Sequence, residues 1–259
     1  MNRAEKIAEK LAADWQARSN YVRLTGDVAP GGIQEAYAVQ GHLQRHMMPK
    51  RGPIGGRKIA LSSKAMQEMV NLDRPVAGAI FANDIQRSPA KVAVADFIHL
   101  GLEYELAFEL AEELAPTDVP IGEENVLDLI STVRPAFELI DDKNADYTDI
   151  CGLTLAADNA WCGGVVLGAP IKDWRRLNLG DLPSVLVQAG HPPEAGNTGA
   201  ANPVQSLAWV LAHFASQGET LKAGEQIITG SVLRTRFPES GDRVRYEITG
   251  HSSVEIEIV

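Results

Sequence analysis

Apolar residues recur at helical spacing near the start of the chain, with Ile7, Leu11 and Trp15 in register, and that period predicts an amphipathic helix over residues 1–15. A second such pattern runs from Ile33 through Tyr37 to Leu43, separated from the first by Gly31 and Gly32. The Gly- and Pro-rich stretch 51–56 predicts a turn, followed by a short strand over 58–62 that puts Lys58, Ala60 and Ser62 on one face. Between Asp96 and Leu110 the period drops to two. Leu100, Leu102, Tyr104, Leu106, Phe108 and Leu110 share one side, with Gly101, Glu103, Glu105, Ala107 and Glu109 opposite, which predicts a strand with one carboxylate-rich face. Residues 123–131 read as a helix and 133–140 as extended chain. Asn202 before Pro203 predicts a capped helix start, with Leu207, Val210, Leu211 and Phe214 as the buried stripe and Gly218 as the stop. Segments 226–230, 244–248 and 254–259 read as strands, with 249–252 as the last hairpin.

Helices in front and mixed strands behind predict an α+β fold and not an alternating βαβ one. With 259 residues and no break in composition, the expectation is one catalytic domain, helical over 1–70 and β-rich over 71–259. Lys and Arg total 24 against 34 for Asp and Glu, a net charge of −10, which argues against a broad nucleic-acid or anionic-membrane footprint. An anionic substrate therefore needs a local cation. Cys151 and Cys162 are too few for a zinc cluster or a disulfide scaffold. Glu5, Lys6, Glu9 and Lys10 mark the first segment as an amphipathic helix and not a signal peptide. No apolar run approaches the roughly 20 residues that span a bilayer, so a soluble, cytoplasmic protein is expected.

Glu103 and Glu105, two apart on a strand, point the same way with backbones about 7 Å apart, close enough to converge on one hard cation such as Mg²⁺ or Mn²⁺. The alternative is a solvated strand face. Glu138 sits in the apolar Pro135–Asp141 stretch, where an unpaired charge is costly unless it meets a metal or a partner such as Arg134. Lys58, beside a Gly-rich turn and Ile59, is expected to be partly desolvated, with a lowered pKa suited to proton transfer. A lysine that snorkels from a strand end is the competing reading.

The run Gly56–Gln67, GRKIALSSKAMQ, closely resembles a motif of the 2-keto-4-pentenoate hydratase and 4-oxalocrotonate decarboxylase family, within the fumarylacetoacetate hydrolase superfamily. The resemblance continues through Gly101–Phe108, Pro135–Asp141, Ala157–Ala160, Val166–Gly168, Asn202–Pro203, Leu207–Trp209 and Ile228–Ser231, in order along nearly the whole chain. It implies a mixed β-sheet roll with a small N-terminal helical subdomain, Mg²⁺ or Mn²⁺ on Glu103, Glu105 and Glu138, and Lys58 as the proton-transfer residue. It also implies substrate contacts at Ser62, Trp161, Thr229 and Ser231, a small 2-oxo or 2-enol acid as substrate, and a homo-oligomer. The activity implied is hydration of a 2-hydroxypenta-2,4-dienoate in aromatic ring-cleavage catabolism. A 4-oxalocrotonate-type decarboxylase, an acylpyruvate hydrolase and a non-catalytic keto-acid-binding partner are the alternatives.

Two departures bear on that choice. Val76 stands where the family's hydratases usually carry an acidic residue, and Trp161 where they tend to have Ser. Asp84 is close enough in sequence to substitute as a proton carrier, and His191–Glu194 replaces a plainer turn.

Overall fold

Helix α1, Arg3–Gln16, starts in a capping box in which the Asn2 side chain accepts from the Glu5 N–H and Glu5 reaches back to the Asn2 N–H. Its buried stripe is Ala4, Ile7, Ala8, Leu11 and Ala12, the 3.6-residue period read from the sequence. In the computed structural model, which describes residues 2–116 and 121–259, α2 runs from Ile33 to Arg51, through Pro49. The expected turn over 51–56 thus shrinks to Gly52–Pro53, because β1, Ile54–Ala60, begins directly afterwards. β1 belongs to the main sheet, so the span expected to be helical to residue 70 also contains a sheet strand.

The remaining elements, in chain order, are α3 (Lys64–Met69), β2 (Val76–Phe81), β3 (Ile85–Arg87), β4 (Ala90–Val92), β5 (Leu100–Leu110), β6 (Ile130–Asp141), α4 (Gly152–Ala157), β7 (Cys162–Leu167), β8 (Pro183–Gln188), β9 (Glu194–Asn197), α5 (Pro203–Ser216), β10 (Gln226–Ile228), β11 (Arg243–Ile248) and β12 (Ser252–Ile258). Among the described residues, seven strands form one mixed sheet in the order β2-β1-β10-β5-β6-β7-β3 and five form a second, β4-β12-β11-β8-β9. The α+β expectation therefore holds.

β5 is fixed in register by its even face. Leu100, Leu102, Tyr104, Leu106, Phe108 and Leu110 enter the core shared with Tyr246, Leu186 and Ile256 of the second sheet, and the Tyr104 ring lies 5.8 Å from Phe137 and 5.7 Å from Tyr246. Each such side chain is worth roughly 1.5–3 kcal/mol on burial. A one-residue slip would drive Glu103 and Glu105 into that core, so the apolar face dictates where the carboxylates point.

The main sheet curls until β2 meets the turn that leads into β7. There the Asn159 side chain imitates a strand, accepting from the Ala79 N–H (2.8 Å) and donating to the Ala79 carbonyl (2.9 Å). Gly78 permits the approach, since a Cβ on it would lie 2.7 Å from the Asn159 carbonyl oxygen. Buried Gln40 and Gln44 of α2 complete the seam: Gln40 donates to the Ala77 and Ala156 carbonyls, and Gln44 to the Asn159 side chain.

Several sequence expectations need correction. Residues 123–131 hold only a short 3-10 turn, Val126–Leu129, because Ile130 is already drawn into β6 and buried in the core. The strand expected over 58–62 ends at Ala60. Leu61 takes φ 57°, which turns Ser62 off the face it was expected to share with Lys58 and leaves it exposed. Pro203 does open α5, but Asn202 is left-handed (φ 44°) and its side chain caps nothing. No helix among the described residues is long and apolar enough to cross a membrane.

Candidate metal centre

The odd face of β5 carries Glu103 and Glu105, and the antiparallel register sets Glu138 of β6 directly opposite Glu103. Opposed residues on one sheet face have Cβ atoms roughly 5 Å apart, so the third carboxylate joins the first two. One oxygen from each of Glu103, Glu105 and Glu138 lies within 4.8 Å of the others. Glu105 and Glu138 are fully buried, and Glu103 is partly open.

Their partners account for only part of this negative charge. The Gly230 N–H donates to Glu105 Oε2 at 2.6 Å, and the Thr235 hydroxyl to Glu103 Oε1 at 2.8 Å. The Lys58 ammonium forms an ion pair with Glu138 Oε1 at 2.9 Å and donates to the Ala160 carbonyl at 3.1 Å. Glu105 Oε1 and both oxygens of Glu138 are buried without a hydrogen bond. Burial, with Glu138 and Glu103 adding to it, holds the Glu105 carboxyl well above its ordinary range. Burial pushes Glu138 up to about 7, against the opposing pull of Lys58. One ammonium thus faces three carboxylates. Orphaned, desolvated oxygens converging from two strands suit a hard divalent cation and would be costly without one.

This arrangement predicts a pH signature. A carboxyl whose folded pKa is raised stabilises the metal-free protein at low pH, and that contribution is lost as pH rises from the ordinary 4.5 to about 7. Mg²⁺ must displace the same protons. The rise in melting temperature on adding Mg²⁺ is therefore expected to grow between pH 5 and pH 7.5. A Mg²⁺ effect that is flat across this range would remove Glu138 from the ligand set.

Lys58, 2% exposed, departs from its expected electrostatics. Burial does press its pKa down, but Glu138 and Glu103 outweigh burial and the net shift is upward, so the ammonium is a counter-ion here. Arg134, the other partner considered for Glu138, pairs with Glu109 instead (3.3 Å). Cys162, also beside Lys58 and Glu138, is a buried thiol whose pKa burial raises to about 12, so it is no nucleophile at neutral pH.

The substrate-contact candidates differ in placement. The Thr229 hydroxyl donates to the Leu106 carbonyl (3.2 Å), while that of Ser231 accepts from the Tyr104 N–H (2.9 Å) and donates to the Leu233 carbonyl (2.8 Å). Both brace β5 and so hold out the Gly230 N–H between them. Ser62 Oγ lies 3.0 Å from where a Gly230 Cβ would be. Trp161 is buried in the turn after Ala160. Asp84 is not brought to the carboxylates. It pairs with Arg51 at 2.6 Å and lines a separate cleft of about 570 Å³ with Leu139 and Gly163, on the face of β6 opposite Glu138. Thr235 was not foreseen, for it lies between two arginines in no recognised block. Gly230 carried a usable signal: its φ of 99° needs a residue without a side chain.

The family profile described as "Fumarylacetoacetate (FAA) hydrolase C-terminal" matches residues 58–259. The 2-keto-4-pentenoate hydratase of Paraburkholderia xenovorans (strain LB400) is 30% identical over 258 residues, covering 98% of this chain and 94% of the relative. The 2-oxo-hept-4-ene-1,7-dioate hydratase of Escherichia coli is 29% identical, covering 98% and 97%. Among solved structures, 4-oxalocrotonate decarboxylase from Pseudomonas putida G7, complexed with magnesium and adipate, superposes with a TM-score of 0.89 at 23% identity, over 100% of this chain and 99% of that one. With the profile spanning β1 to the last strand and these relatives aligned end to end, the chain belongs to the fumarylacetoacetate hydrolase family.

Proposed function

We propose that this chain is a Mg²⁺- or Mn²⁺-dependent hydratase, adding water to a 2-hydroxypenta-2,4-dienoate-type acid to give a 4-hydroxy-2-oxo acid in aromatic ring-cleavage catabolism. The observation that carries the reading is the Glu103–Glu105–Glu138 cluster, in which one oxygen of Glu105 and both of Glu138 are buried without a hydrogen bond. Relatives named hydratases at about 30% identity over most of the chain support it. A divalent cation on these carboxylates would orient a 2-oxo acid and polarise its carbonyl.

Lys58, beside Glu138, is the candidate to move a proton to or from the substrate's far end. The Gly230 segment, braced by Thr229 and Ser231, Ser62 beside it, and Trp161 form the substrate contacts of this reading. Asp84 stays outside it, tied to Arg51. A cytoplasmic setting and assembly as a homo-oligomer complete the reading; exposed Val22, Met69 and Val259 suit the latter.

Decarboxylation of a vinylogous 2-oxo diacid is the second reading. It is favoured by Val76, fully buried in β2 with no group that could transfer a proton. Turnover of a small panel of 2-hydroxydienoates and 2-oxo diacids with Mg²⁺, and again with a chelator, decides between them. Uptake of water with no gas released is the expected outcome. Release of carbon dioxide would move the assignment to a decarboxylase, and chelator-insensitive turnover would remove the metal from it.

A further inference from the structure

The outer surface of the two N-terminal helices carries a second group of metal-ligating side chains. α1 and α2 lie side by side and run in the same direction: Arg3 pairs with Glu35 at 2.6 Å in the first turn of both, and at the far end the Arg51 guanidinium sits 5.7 Å from the centre of the Trp15 ring. Between these points Glu5 and Glu9 of α1 and His42 and His46 of α2 line one recess of about 460 Å³, together with Arg45. Each pair is spaced i and i+4 on its own helix, so its members stack one turn apart on a single face. Because the helices are parallel, the two ladders run in step, with Glu5 against His42 and Glu9 against His46.

The first rung of this ladder is already in place. Glu5 divides its carboxylate: Oε2 accepts from the Asn2 N–H at 2.7 Å, and Oε1 lies 4.0 Å from Nδ1 of His42. That spacing is too long for a hydrogen bond. It is close to the roughly 3.4 Å that separates two ligand atoms on a tetrahedral Zn²⁺ with bonds of about 2.0–2.1 Å. His42 is half-buried, which restricts its ring, whereas Glu9 and His46 are exposed and can rotate onto the same ion. Arg45 brings a like charge to the recess that a bound cation must outweigh.

The donor set selects the ion. Two imidazole nitrogens with carboxylates suit a borderline ion such as Zn²⁺, whereas the all-carboxylate triad suits a hard one. Two histidines at i and i+4 on one helix face present their nitrogens to a single zinc ion. We propose that Glu5, Glu9, His42 and His46 form a second metal site, separate from Glu103, Glu105 and Glu138, which takes Zn²⁺ and clamps α1 to α2. Metal bonds then tie the two helices together beside the apolar stripe that α1 buries. The site stands whichever reaction the triad performs.

The test titrates Zn²⁺ calorimetrically into untagged, metal-stripped protein, comparing Glu105→Gln, which cripples the triad, with the same protein also carrying His42→Ala and His46→Ala. Alanine suits a helix interior and neither ring is fully buried, so the added changes are expected to leave the fold intact. Zn²⁺ is expected to bind Glu105→Gln and to bind at least about tenfold more weakly once the histidines are gone, since loss of a mere supporting partner already costs roughly 10–100-fold. It should raise the melting temperature of the first protein and not of the second. In wild-type protein the imidazole resonances of His42 and His46 should shift together on adding Zn²⁺, a readout that stands if a variant fails to fold. Zn²⁺ affinity that is unchanged without the histidines, Zn²⁺ binding that is lost in Glu105→Gln alone, or a shift of neither ring or only one would overturn the proposal.

Discussion

A Glu105→Gln protein is expected to fold, to melt no lower than wild type at pH 8 without metal, and to lose Mg²⁺-dependent turnover. Glu105 is fully buried, and its pKa is raised by burial and then by Glu138 and Glu103. A buried carboxyl whose pKa is raised loses stabilisation as pH rises above its ordinary range, so without metal it increasingly opposes folding. Glutamine keeps an oxygen for the Gly230 N–H, and its amide can donate to the orphaned oxygens of Glu138. The fold therefore keeps its contacts and loses a repulsion. The metal loses an anionic ligand, and loss of a mere supporting partner already costs roughly 10–100-fold in affinity or activity, so a larger fall is expected here. Melting curves with and without chelator, with a Mg²⁺ titration, separate the two effects. Wild-type rates at limiting Mg²⁺ would take Glu105 out of the ligand set, and a lowered metal-free melting temperature at pH 8 would refute the charge argument.

Why the three candidate ligands were legible in the sequence, and their environment was not, follows from the range of each interaction. The pair Glu103 and Glu105 needs only a strand, and the alternation from Leu100 to Leu110 declares one. Glu138 showed itself through its apolar neighbours. That it lies directly across from Glu103 depends on the β5–β6 register, set over a connection of 19 residues (111–129) that no local pattern encodes. Lys58 is more distant still. β1 is separated from β6 by β10 and β5 in the sheet order, so the 2.9 Å ion pair exists only because the sheet curls. Reasoning from local burial gave its pKa the wrong direction, since two carboxylates from other strands outweigh desolvation.

Helix signals failed for similar reasons. Residues 123–131 carry enough apolar positions for a helix, but pairing of Ile130 with Leu110 claims the end of that stretch for β6. Asn202 and Pro203 correctly marked where α5 begins. The left-handed backbone at Asn202, which the 3-10 turn Thr198–Ala201 leads into, turns its side chain away from the cap position. Ser62 was put beside Lys58 by extending an alternation two residues past its end, where Leu61 turns the chain.

Lys58→Met is expected to reduce turnover by roughly 10²–10⁴-fold, the range for losing a positioned proton donor, while changing Mg²⁺ affinity in opposite directions at low and high pH. Methionine fills nearly the same volume, so no large cavity opens. The ammonium does two things to Glu138: it competes with a divalent cation for the carboxylate, and it holds the carboxyl's pKa below where burial alone would take it. Without Lys58, Glu138 binds its proton more tightly, so protons defeat Mg²⁺ across neutral pH and affinity falls there. At a pH high enough to ionise Glu138, the competing cation is gone and affinity exceeds that of wild type. Mg²⁺ titrations of both proteins from pH 6 to pH 9 should therefore cross. Parallel curves, with turnover per bound Mg²⁺ unchanged, would mean that Lys58 neither transfers a proton nor tunes Glu138.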